Sequence, residues 1–422
     1  MINNYVFQNF QSYLDESHID FTVNQKVPHS YYDYEMDSGL KIAKVMAVLG
    51  ANGAGKSNLL KPLSFLAWFI PHSFGGREKG DLIPILPHSL GKGEHTSIEV
   101  DFVIPKWNEI DEDDRDFEFK YKVILDQDRV IFEELKVKTS RLFSRIFSRE
   151  LDLDTNKYVV KVNSQLGPDI PISILAKAPK NCSLISYIFE ISDDLDISID
   201  DNNRHGLVFL AYSYFQSANS NIVLMGTLQL SENLSEATDF YIEEPEYFDF
   251  AKSLIMKYDL GISDIEFEKK IVMDSETGAE EERIIPMCLH RSHGEEFKIP
   301  IFLESSGTKS AFCVLATIAL SLKTGGIAIL DEFDNDFHPQ LTMAIVDLFK
   351  DDAINKKNAQ LLFNTHNAEV LKSLRRQHCY LVEKNEGISD AYRADEIEGL
   401  SARDNLYAKY ISGSLGATPE FG

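Results

Sequence analysis

One stretch of the sequence places glycines, a lysine and a serine at a spacing suited to binding phosphate. It runs Gly50-Ala-Asn-Gly-Ala-Gly-Lys-Ser57, after an apolar run that predicts a strand over 41–50 and before apolar residues at helical spacing from Leu59. At a helix start, glycines let successive backbone N–H groups turn toward phosphate oxygens. The lysine of such a turn reaches the β- and γ-phosphates, and the serine hydroxyl ligates Mg²⁺. A plain glycine turn is the alternative, which the matching strand and helix disfavour.

A second stretch places two carboxylates directly after an apolar run. Residues 327–332 read Ile-Ala-Ile-Leu-Asp-Glu, and in open α/β sheets ligands bind at the carboxyl ends of the strands. We therefore predict that Asp331 holds Mg²⁺ and that Glu332 polarises the attacking water as a general base. An acidic loop after a strand is the alternative where such a pair stands alone.

Two further stretches gain meaning from their position. Residues 304–309, Glu-Ser-Ser-Gly-Thr-Lys, precede an apolar helix, and residues 363–367, Phe-Asn-Thr-His-Asn, end a predicted strand. A serine hydroxyl and free amides at a helix start can bind an anion, although alone the first stretch is a helix cap. The second brings His366 near the expected γ-phosphate, although alone a histidine at a strand end is structural.

The order of the predicted elements indicates how these stretches meet. Residues 96–139 alternate between apolar and polar, which predicts an antiparallel meander with an acidic loop at 108–118, and a polar turn is expected at 274–282. The last third alternates between helix and strand, which is typical of a mostly parallel sheet. These elements are helices over 305–323, 339–350 and 367–374 and strands over 325–332, 359–366 and 379–384.

Between 140 and 260 the pattern is mostly helical, so this part is predicted to be an insertion. The predicted domains are an N-terminal lobe over 1–139, a helical insertion over 140–260 and a C-terminal lobe over 261–422.

Composition limits the classes of partner. The 422 residues carry 42 Lys and Arg against 67 Asp and Glu, a formal charge of −25, so nucleic acid cannot be bound through the average field of the protein. Four scattered cysteines do not form a disulfide framework and fit a reducing compartment. With no signal peptide and no apolar run long enough to span a membrane, we expect a cytoplasmic protein.

Two local features leave alternatives open. Residues 136–149 carry five cations and no acid, interleaved with Phe143 and Phe147; they predict a contact with nucleic acid or an acidic partner or, as we favour, a solvated helix face. Cys288, His290 and His293 are metal-ligating residue types at close spacing, although an incidental arrangement is favoured.

Taken in order, these motifs resemble those of the ABC ATPase class that includes the SMC and RecF-like proteins. They are the Walker A motif GANGAGKS, the signature-like ESSGTK, the Walker B motif IAILDE, the following DNDFHP and the histidine switch in NTH. More narrowly, the chain looks like AAA-family ATPases of bacterial abortive-infection and restriction-linked phage-defence operons, relatives of the overcoming-lysogenization-defect proteins. The resemblance implies an α/β fold: an ABC-type P-loop ATPase head with an antiparallel β subdomain and an inserted helical lobe.

The resemblance also implies roles within one chain. Lys56 would bind phosphate, Ser57 and Asp331 would bind Mg²⁺, and Glu332 would activate water. His366 would sense the γ-phosphate and so belongs with Lys56 and Glu332 to the expected catalytic residues. No Q-loop glutamine can be assigned. The expected nucleotide-binding residues of the Walker A motif are Asn52, Gly53, Ala54, Gly55, Lys56, Ser57 and Asn58.

Other implied roles involve a second chain. Ser305 and Gly307 would reach the γ-phosphate of a neighbouring protomer, which implies an ATP-dependent homodimer or larger homo-oligomer, and His338 stands where many ABC proteins have the D-loop aspartate. The expected partner is a separate effector, a nuclease of Toprim or HNH type. The alternatives are a RecF/SMC-like DNA-binding ATPase in repair and a nucleotide-gated scaffold for which turnover is incidental.

Overall fold

The computed structural model describes residues 1–36, 38–75, 80–105, 116–194, 206–222, 233–259, 261–273 and 280–418. The acidic loop predicted at 108–118 and the polar turn predicted at 274–282 lie mostly outside these ranges. None of the helices within them is long and apolar enough to cross a membrane.

The strands within the described ranges form four sheets. In chain order they are β1 (Ile2–Gln8), β2 (Ser17–Asp20), β3 (Thr22–Val23), β4 (Asp33–Glu35), β5 (Lys41–Ala43), β6 (Val45–Gly50), β7 (Thr96–Ile104), β8 (Phe117–Leu125), β9 (Val130–Lys138), β10 (Phe143–Asp152), β11 (Lys157–Val162), β12 (Asn219–Ser220), β13 (Ile262–Met273), β14 (Glu280–Ser292), β15 (Glu295–Pro300), β16 (Ile327–Leu330), β17 (Gln360–Asn364), β18 (Cys379–Asn385) and β19 (Ile388–Arg393).

The helices of the same ranges connect and cover these sheets. They are α1 (Lys56–His72), α2 (Ile172–Leu175), α3 (Leu184–Asp194), α4 (Gly206–Gln216), α5 (Leu234–Glu243), α6 (Pro245–Tyr258), α7 (Ser306–Thr324), α8 (Pro339–Asp347) and α9 (Leu406–Ile411).

The central sheet carries the predicted chemistry. Its strand order is β12-β16-β17-β6-β18-β19, and every neighbouring pair is parallel except the β18–β19 hairpin. The strands β6, β16 and β17 are buried along their whole length, as expected for a parallel sheet with helices on both faces. The predicted mostly parallel sheet is therefore confirmed, and the Walker A and Walker B strands lie in it with β17 between them.

Side chains alternate between the two faces of this sheet and separate two cores. Met46 and Val48 belong to the core that contains α1, α3 and α4, whereas Val45 and Ala47 belong to the core formed with α5 to α9. This alternation follows from the two-residue period of a strand. Each core fixes one face of β6, so the loop that follows Gly50 leaves a rigid strand.

A second, antiparallel sheet has the strand order β11-β10-β9-β8-β7-β1-β2. The predicted meander over 96–139 is confirmed, but the helical prediction for the start of the 140–260 segment is wrong, because residues 143–162 continue this sheet as β10 and β11. A register shift between Arg145 and Phe147 buries Ile146 and Phe147 in succession. The bulge thus interrupts the alternation by which a strand is predicted from sequence.

The remaining segments are short connections and hairpins. The strands β13, β14 and β15 form an antiparallel sheet directly before α7. After β17, the predicted helix over 367–374 is a 3₁₀ helix over Ala368–Lys372, capped by the Asn367 side chain. Helices α2 to α6 occupy the rest of the 140–260 segment, within the described residues.

Candidate functional site

The glycine loop joins β6 to α1 with a backbone that requires glycine. Gly53 and Gly55 have φ values of +76° and +116°, which favour residues without a Cβ. A Cβ on Gly55 would overlap the Ser389 hydroxyl of β19. Loops of this shape turn N–H groups toward an anion at the positive end of a helix, so the loop has the geometry expected for Asn52 to Asn58.

Lys56 lies at the start of α1 with its amine folded onto the loop. Its Nζ donates to the carbonyl oxygens of Gly50 and Ala51 at 3.0 and 3.2 Å. Desolvation lowers the pKa of Lys56, and the charges of Glu332 and Asp331 oppose that shift. The amine therefore lies within the field of both Walker B carboxylates, where a phosphate can replace its loop carbonyls.

A buried asparagine links the two predicted Mg²⁺ ligands. Asn364, at the end of β17, donates from Nδ2 to Asp331 Oδ1 and, at 3.4 Å, to the Ser57 hydroxyl. Asp331 and Asn364 are 5% and 0% exposed. Oxygen ligands of this kind suit Mg²⁺, which is held by one or two protein groups together with phosphate oxygens. The donor set of Ser57 and Asp331 thus fits the metal.

Glu332 is held in a strained position over the site. Its φ is +46°, and its amide donates to Asn364 Oδ1 at 2.6 Å. Asn335 Nδ2 donates to Glu332 Oε2 at 3.0 Å, and His366 Nε2 lies 3.3 Å from Oε1. Desolvation raises the pKa of Glu332, but the hydrogen bonds from Asn335 and His366 prevail and lower it. The carboxylate is therefore ionised and oriented, as a general base must be.

Two positioning residues were missed by the sequence reasoning. Asn221 pairs with the backbone of Asp331 through two hydrogen bonds of 2.7 and 2.8 Å, and Asn364 was part of the histidine motif without a role. The position of Asn364 follows from strand register, because Leu330 and Phe363 are partners in the β16–β17 pair. Asn221 lies 110 residues before Asp331, directly after the short edge strand β12. No local pattern in the sequence indicates its role.

The predicted signature turn begins α7. Ser305 is the N-cap and accepts from the Thr308 amide at 3.1 Å, while Thr308 Oγ1 donates to Asp259 at 2.5 Å. A Cβ on Gly307 would lie 2.9 Å from the Asp336 carbonyl oxygen. Ser305 and Gly307 line a cavity of about 380 Å³ with His338, whereas the glycine loop and His366 line a different cavity of about 700 Å³.

The two ambiguous features of the sequence have structural roles. Arg149 is fully buried and donates to Glu133 at 2.8 Å, so it does not belong to a solvated helix face. Cys288 is buried, which raises the pKa of its thiol to about 12, and His290 bonds Glu304 at 2.7 Å. Across the residues that the structure describes, no group of three or more His, Cys, Asp or Glu side chains is arranged to hold a metal ion.

Comparison with solved structures finds SMC head domains. A Pyrococcus yayanosii Smc head domain with a coiled coil and joint is 11% identical, with 98% of this chain and 99% of that chain covered and a TM-score of 0.42. A Pyrococcus furiosus Smc head domain bound to the C-terminal domain of ScpA is 12% identical, with 94% and 97% covered and a TM-score of 0.37. A comparison with curated proteins finds no match.

A protein family gives the most extensive sequence match. The family described as "AAA domain, putative AbiEii toxin, Type IV TA system" matches residues 45–372, which include all four motifs of the site. Together with the placement of both Walker motifs on one parallel sheet, this match confirms the predicted ABC-type P-loop ATPase fold. Because the match spans well over half of the sequence, the chain belongs to this family of AAA ATPase domains.

Proposed function

We propose that the chain is the ATP-hydrolysing subunit of a cytoplasmic anti-phage defence system. In this proposal ATP joins two or more copies of the chain, and the assembly senses a trigger and holds or releases a separate toxic effector, a nuclease. The observation that carries the ATPase part is the Asn364 network, which links Ser57, Asp331 and Glu332 beside the glycine loop.

The geometry supports hydrolysis as well as binding. A water between Glu332 and the γ-phosphate gives its proton to the Glu332 carboxylate as its oxygen attacks phosphorus and the bond to the β-phosphate oxygen breaks. Lys56 neutralises charge on the phosphates, and His366 orients the Glu332 carboxylate. Bound Mg²⁺, held by Ser57 and Asp331, would supply further neutralisation of the phosphate oxygens.

Self-association is supported by the location of the signature turn. Ser305 and Gly307 line a cavity other than the one beside the glycine loop, so we infer that they act on the nucleotide of a second copy. A hydroxyl and free amides at the start of α7 suit an anion arriving from outside the chain. Each copy would then supply half of the γ-phosphate contacts, and ATP would favour the associated state.

The defence role rests on the family and on the resemblance of the motifs. The family description names an AbiEii toxin of a type IV toxin–antitoxin system, which fits an abortive-infection function with a partner protein. The four cysteines are free and buried, which fits the reducing cytoplasm.

The repair alternative receives less support from the basic stretch. Lys136 and Arg145 both pair with Glu134, at 2.6 and 2.9 Å, and Lys138 pairs with Glu118. These cations are thus partly neutralised by acids of β8 and β9, and Arg149 is buried. A phosphate backbone needs cations that are available at the surface, so a nucleic-acid interface is not the function that we favour.

ATP turnover and oligomer mass of three proteins test the proposal. We expect the wild type to hydrolyse ATP, Lys56→Ala to lose nucleotide binding and association, and Glu332→Gln to bind ATP, associate and lose at least about 100-fold in turnover. Turnover unaffected by either substitution would contradict the catalytic assignment. A Glu332→Gln protein that protects cells from phage as well as the wild type would favour the nucleotide-gated scaffold instead.

A further inference from the structure

The cavity beside the glycine loop has a second wall from a distant part of the chain. The lining residues are Gly50, Ala51, Asn52 and His366 together with Tyr410, Ile411, Ser412, Gly413 and Thr418. Its volume of about 700 Å³ is within the range of small-molecule sites, roughly 300–1,000 Å³. Residues 406 to 418, here called the 406–418 segment, thus contribute part of the lining of the cavity beside the Walker A loop.

This cavity adjoins the γ-phosphate end of the site. His366 lines it and lies 3.3 Å from the Glu332 carboxylate. Because Glu332 activates the attacking water in the proposed function, the γ-phosphate must lie close to Glu332 and His366. The 406–418 segment is therefore on the side that a triphosphate reaches and a diphosphate does not.

The segment is fixed to the β18–β19 hairpin. Tyr392 donates to the Leu415 carbonyl oxygen at 3.0 Å, and the Ala417 amide donates to Glu383 Oε1 at 2.6 Å. Tyr392 Oη also lies 2.9 Å from Glu383 Oε1, so these two acceptors share its single O–H proton. Gly416, with φ +71°, packs so closely that a Cβ would overlap Glu383 Oε1. These contacts make a specific docking site for the segment.

The same hairpin holds the glycine loop. Ser389 Oγ donates to the Ala54 carbonyl oxygen at 2.6 Å, and Lys384 Nζ lies 3.4 Å from the Gly53 carbonyl oxygen. On the segment side, burial raises the pKa of Tyr410, and a hydrogen bond from the Gly50 amide opposes that shift. The segment, the hairpin and the loop thus form one connected unit.

We propose that the 406–418 segment is a wall of the nucleotide site, contributed by the same chain, that favours a nucleoside triphosphate over the diphosphate. The inference rests on the proposed function and deepens it. A wall beside the γ-phosphate excludes water, and the attraction between Lys56 and the phosphate is stronger where water is excluded. ADP lacks the group that reaches this wall, so its affinity depends on the segment less than the affinity of the triphosphate does.

A glycine pair in the chain provides a matched test. Gly416→Ala places a Cβ against Glu383 Oε1, so the carboxylate must move away and the segment loses its contacts with the Ala417 amide and Tyr392. Gly399→Ala imposes the same kind of backbone strain, at φ +78°, with no atom within 4 Å of the new Cβ. Dissociation constants for ATPγS and ADP, with Mg²⁺ present, are measured by titration calorimetry. We expect Gly416→Ala to weaken ATPγS binding roughly tenfold and ADP binding less than about twofold, and Gly399→Ala to leave both unchanged.

Hydrogen exchange gives an independent readout on the wild type. ATPγS is expected to protect the amides of residues 406–418, and ADP is expected to leave their exchange unchanged. If a folded Gly416→Ala protein binds ATPγS and ADP with an unchanged ratio of affinities, the inference is overturned. If Gly416→Ala does not fold, Tyr410→Ala is measured in its place. The same change in the ratio of ATPγS affinity to ADP affinity is expected, and an unchanged ratio again overturns the inference.

Failure of the proposed function and failure of the inference about the segment give different experimental results. A wild-type protein that does not bind ATPγS contradicts the proposed function. If the wild type binds ATPγS, Lys56→Ala abolishes binding and Gly416→Ala leaves the ratio of affinities unchanged, the proposed function stands and the inference about the segment is wrong.

Discussion

At the scale of single residues, Asn364 has the largest expected effect among the side chains that do not touch the reacting atoms. Asn364→Leu removes its bonds to Ser57, Asp331 and the Glu332 amide. By analogy with residues that orient metal ligands, we expect turnover to fall about 10- to 100-fold and the Mg²⁺ requirement to rise. The measurement is ATP turnover as a function of Mg²⁺ concentration.

A second buried asparagine serves as the control for this substitution. Asn355 is 1% exposed and makes three hydrogen bonds with Phe349 and Ala359, away from the site. Asn355→Leu should cost a comparable amount of stability, about 1–3 kcal/mol, without changing the Mg²⁺ dependence. An Asn364→Leu protein with a normal Mg²⁺ dependence would mean that Asn364 is structural.

The pH dependence of turnover tests how Glu332 is kept ionised. Desolvation alone would raise its pKa, and the hydrogen bonds from Asn335 and His366 lower it. In Asn335→Ala one of these donors is lost, so the pKa of Glu332 should rise and the acid limb of the kcat profile should move to higher pH. The exposed Gln340→Ala, in the first turn of α8, should leave the limb in place. An unmoved limb in Asn335→Ala would contradict this role.

The sequence predicts the role of a residue where its type and its position next to a predicted strand are sufficient to assign that role. Lys56, Asp331 and Glu332 each follow a buried strand, and the structure brings them together. Asn221 and Asn364 act through their neighbours, and their roles depend on the register of β16 against β17 and on the position of an edge strand. Such long-range geometry leaves no mark in a short stretch of sequence.

At the scale of elements, the buried Arg149–Glu133 pair fixes β9 and β10 against α3. Glu133 also accepts hydrogen bonds from Ser183 and from the Leu184 amide at the start of α3. Arg149→Met leaves Glu133 buried without its cation, which should lower the free energy of unfolding by about 3–5 kcal/mol. Urea denaturation measures this loss.

Arg145→Met is the matched control for the buried pair. Arg145 pairs with Glu134 at the surface of the same strand, with its side chain 47% exposed, so its loss should cost at most about 1 kcal/mol. The double substitution Arg149→Met and Glu133→Gln should recover part of the stability, since it removes the unpaired charge. Equal effects of the two single substitutions would contradict a structural role specific to Arg149.

The same strand explains where prediction from sequence failed at this scale. The bulge in β10 buries Ile146 and Phe147 in succession, so apolar and polar residues do not alternate regularly along this strand. Regular alternation in β7 and β8 was sufficient to predict that this part of the chain forms antiparallel strands. Element type is therefore predictable where periodicity is regular, and the β-bulge removes that regularity.

At the scale of the whole molecule, the formal charge of −25 does not oppose binding of ATP. In the proposed site, phosphate would contact backbone amides at the start of α1 and the Lys56 amine. Such local contacts act at distances shorter than the screening length of the solvent, about 8 Å at physiological salt. The acidic surface instead disfavours non-specific binding of nucleic acid. We therefore expect association with an effector protein, or with a second copy of the chain, to depend on a local interface.

A mixing experiment tests whether that interface joins the Walker motifs of one copy to the signature turn of another. Lys56→Ala disables the glycine loop, and Ser305→Asp places a negative charge where the γ-phosphate of the other copy would lie while retaining a good N-cap for α7. Each variant alone should be inactive. In a mixed dimer one site combines both defects, and the other has an intact glycine loop and an intact signature turn.

An equimolar mixture should therefore recover turnover. The recovery is about a quarter of the wild-type value where the two chains associate at random, because half of the dimers are then mixed and half of their sites are intact. A mixture of Ser305→Asp with Gly307→Asp, both altered in the signature turn, should remain inactive and serves as the control. If Ser305→Asp alone retains full turnover, or if the first mixture recovers nothing although mass measurements detect mixed dimers, the signature turn does not complete the site of a second copy.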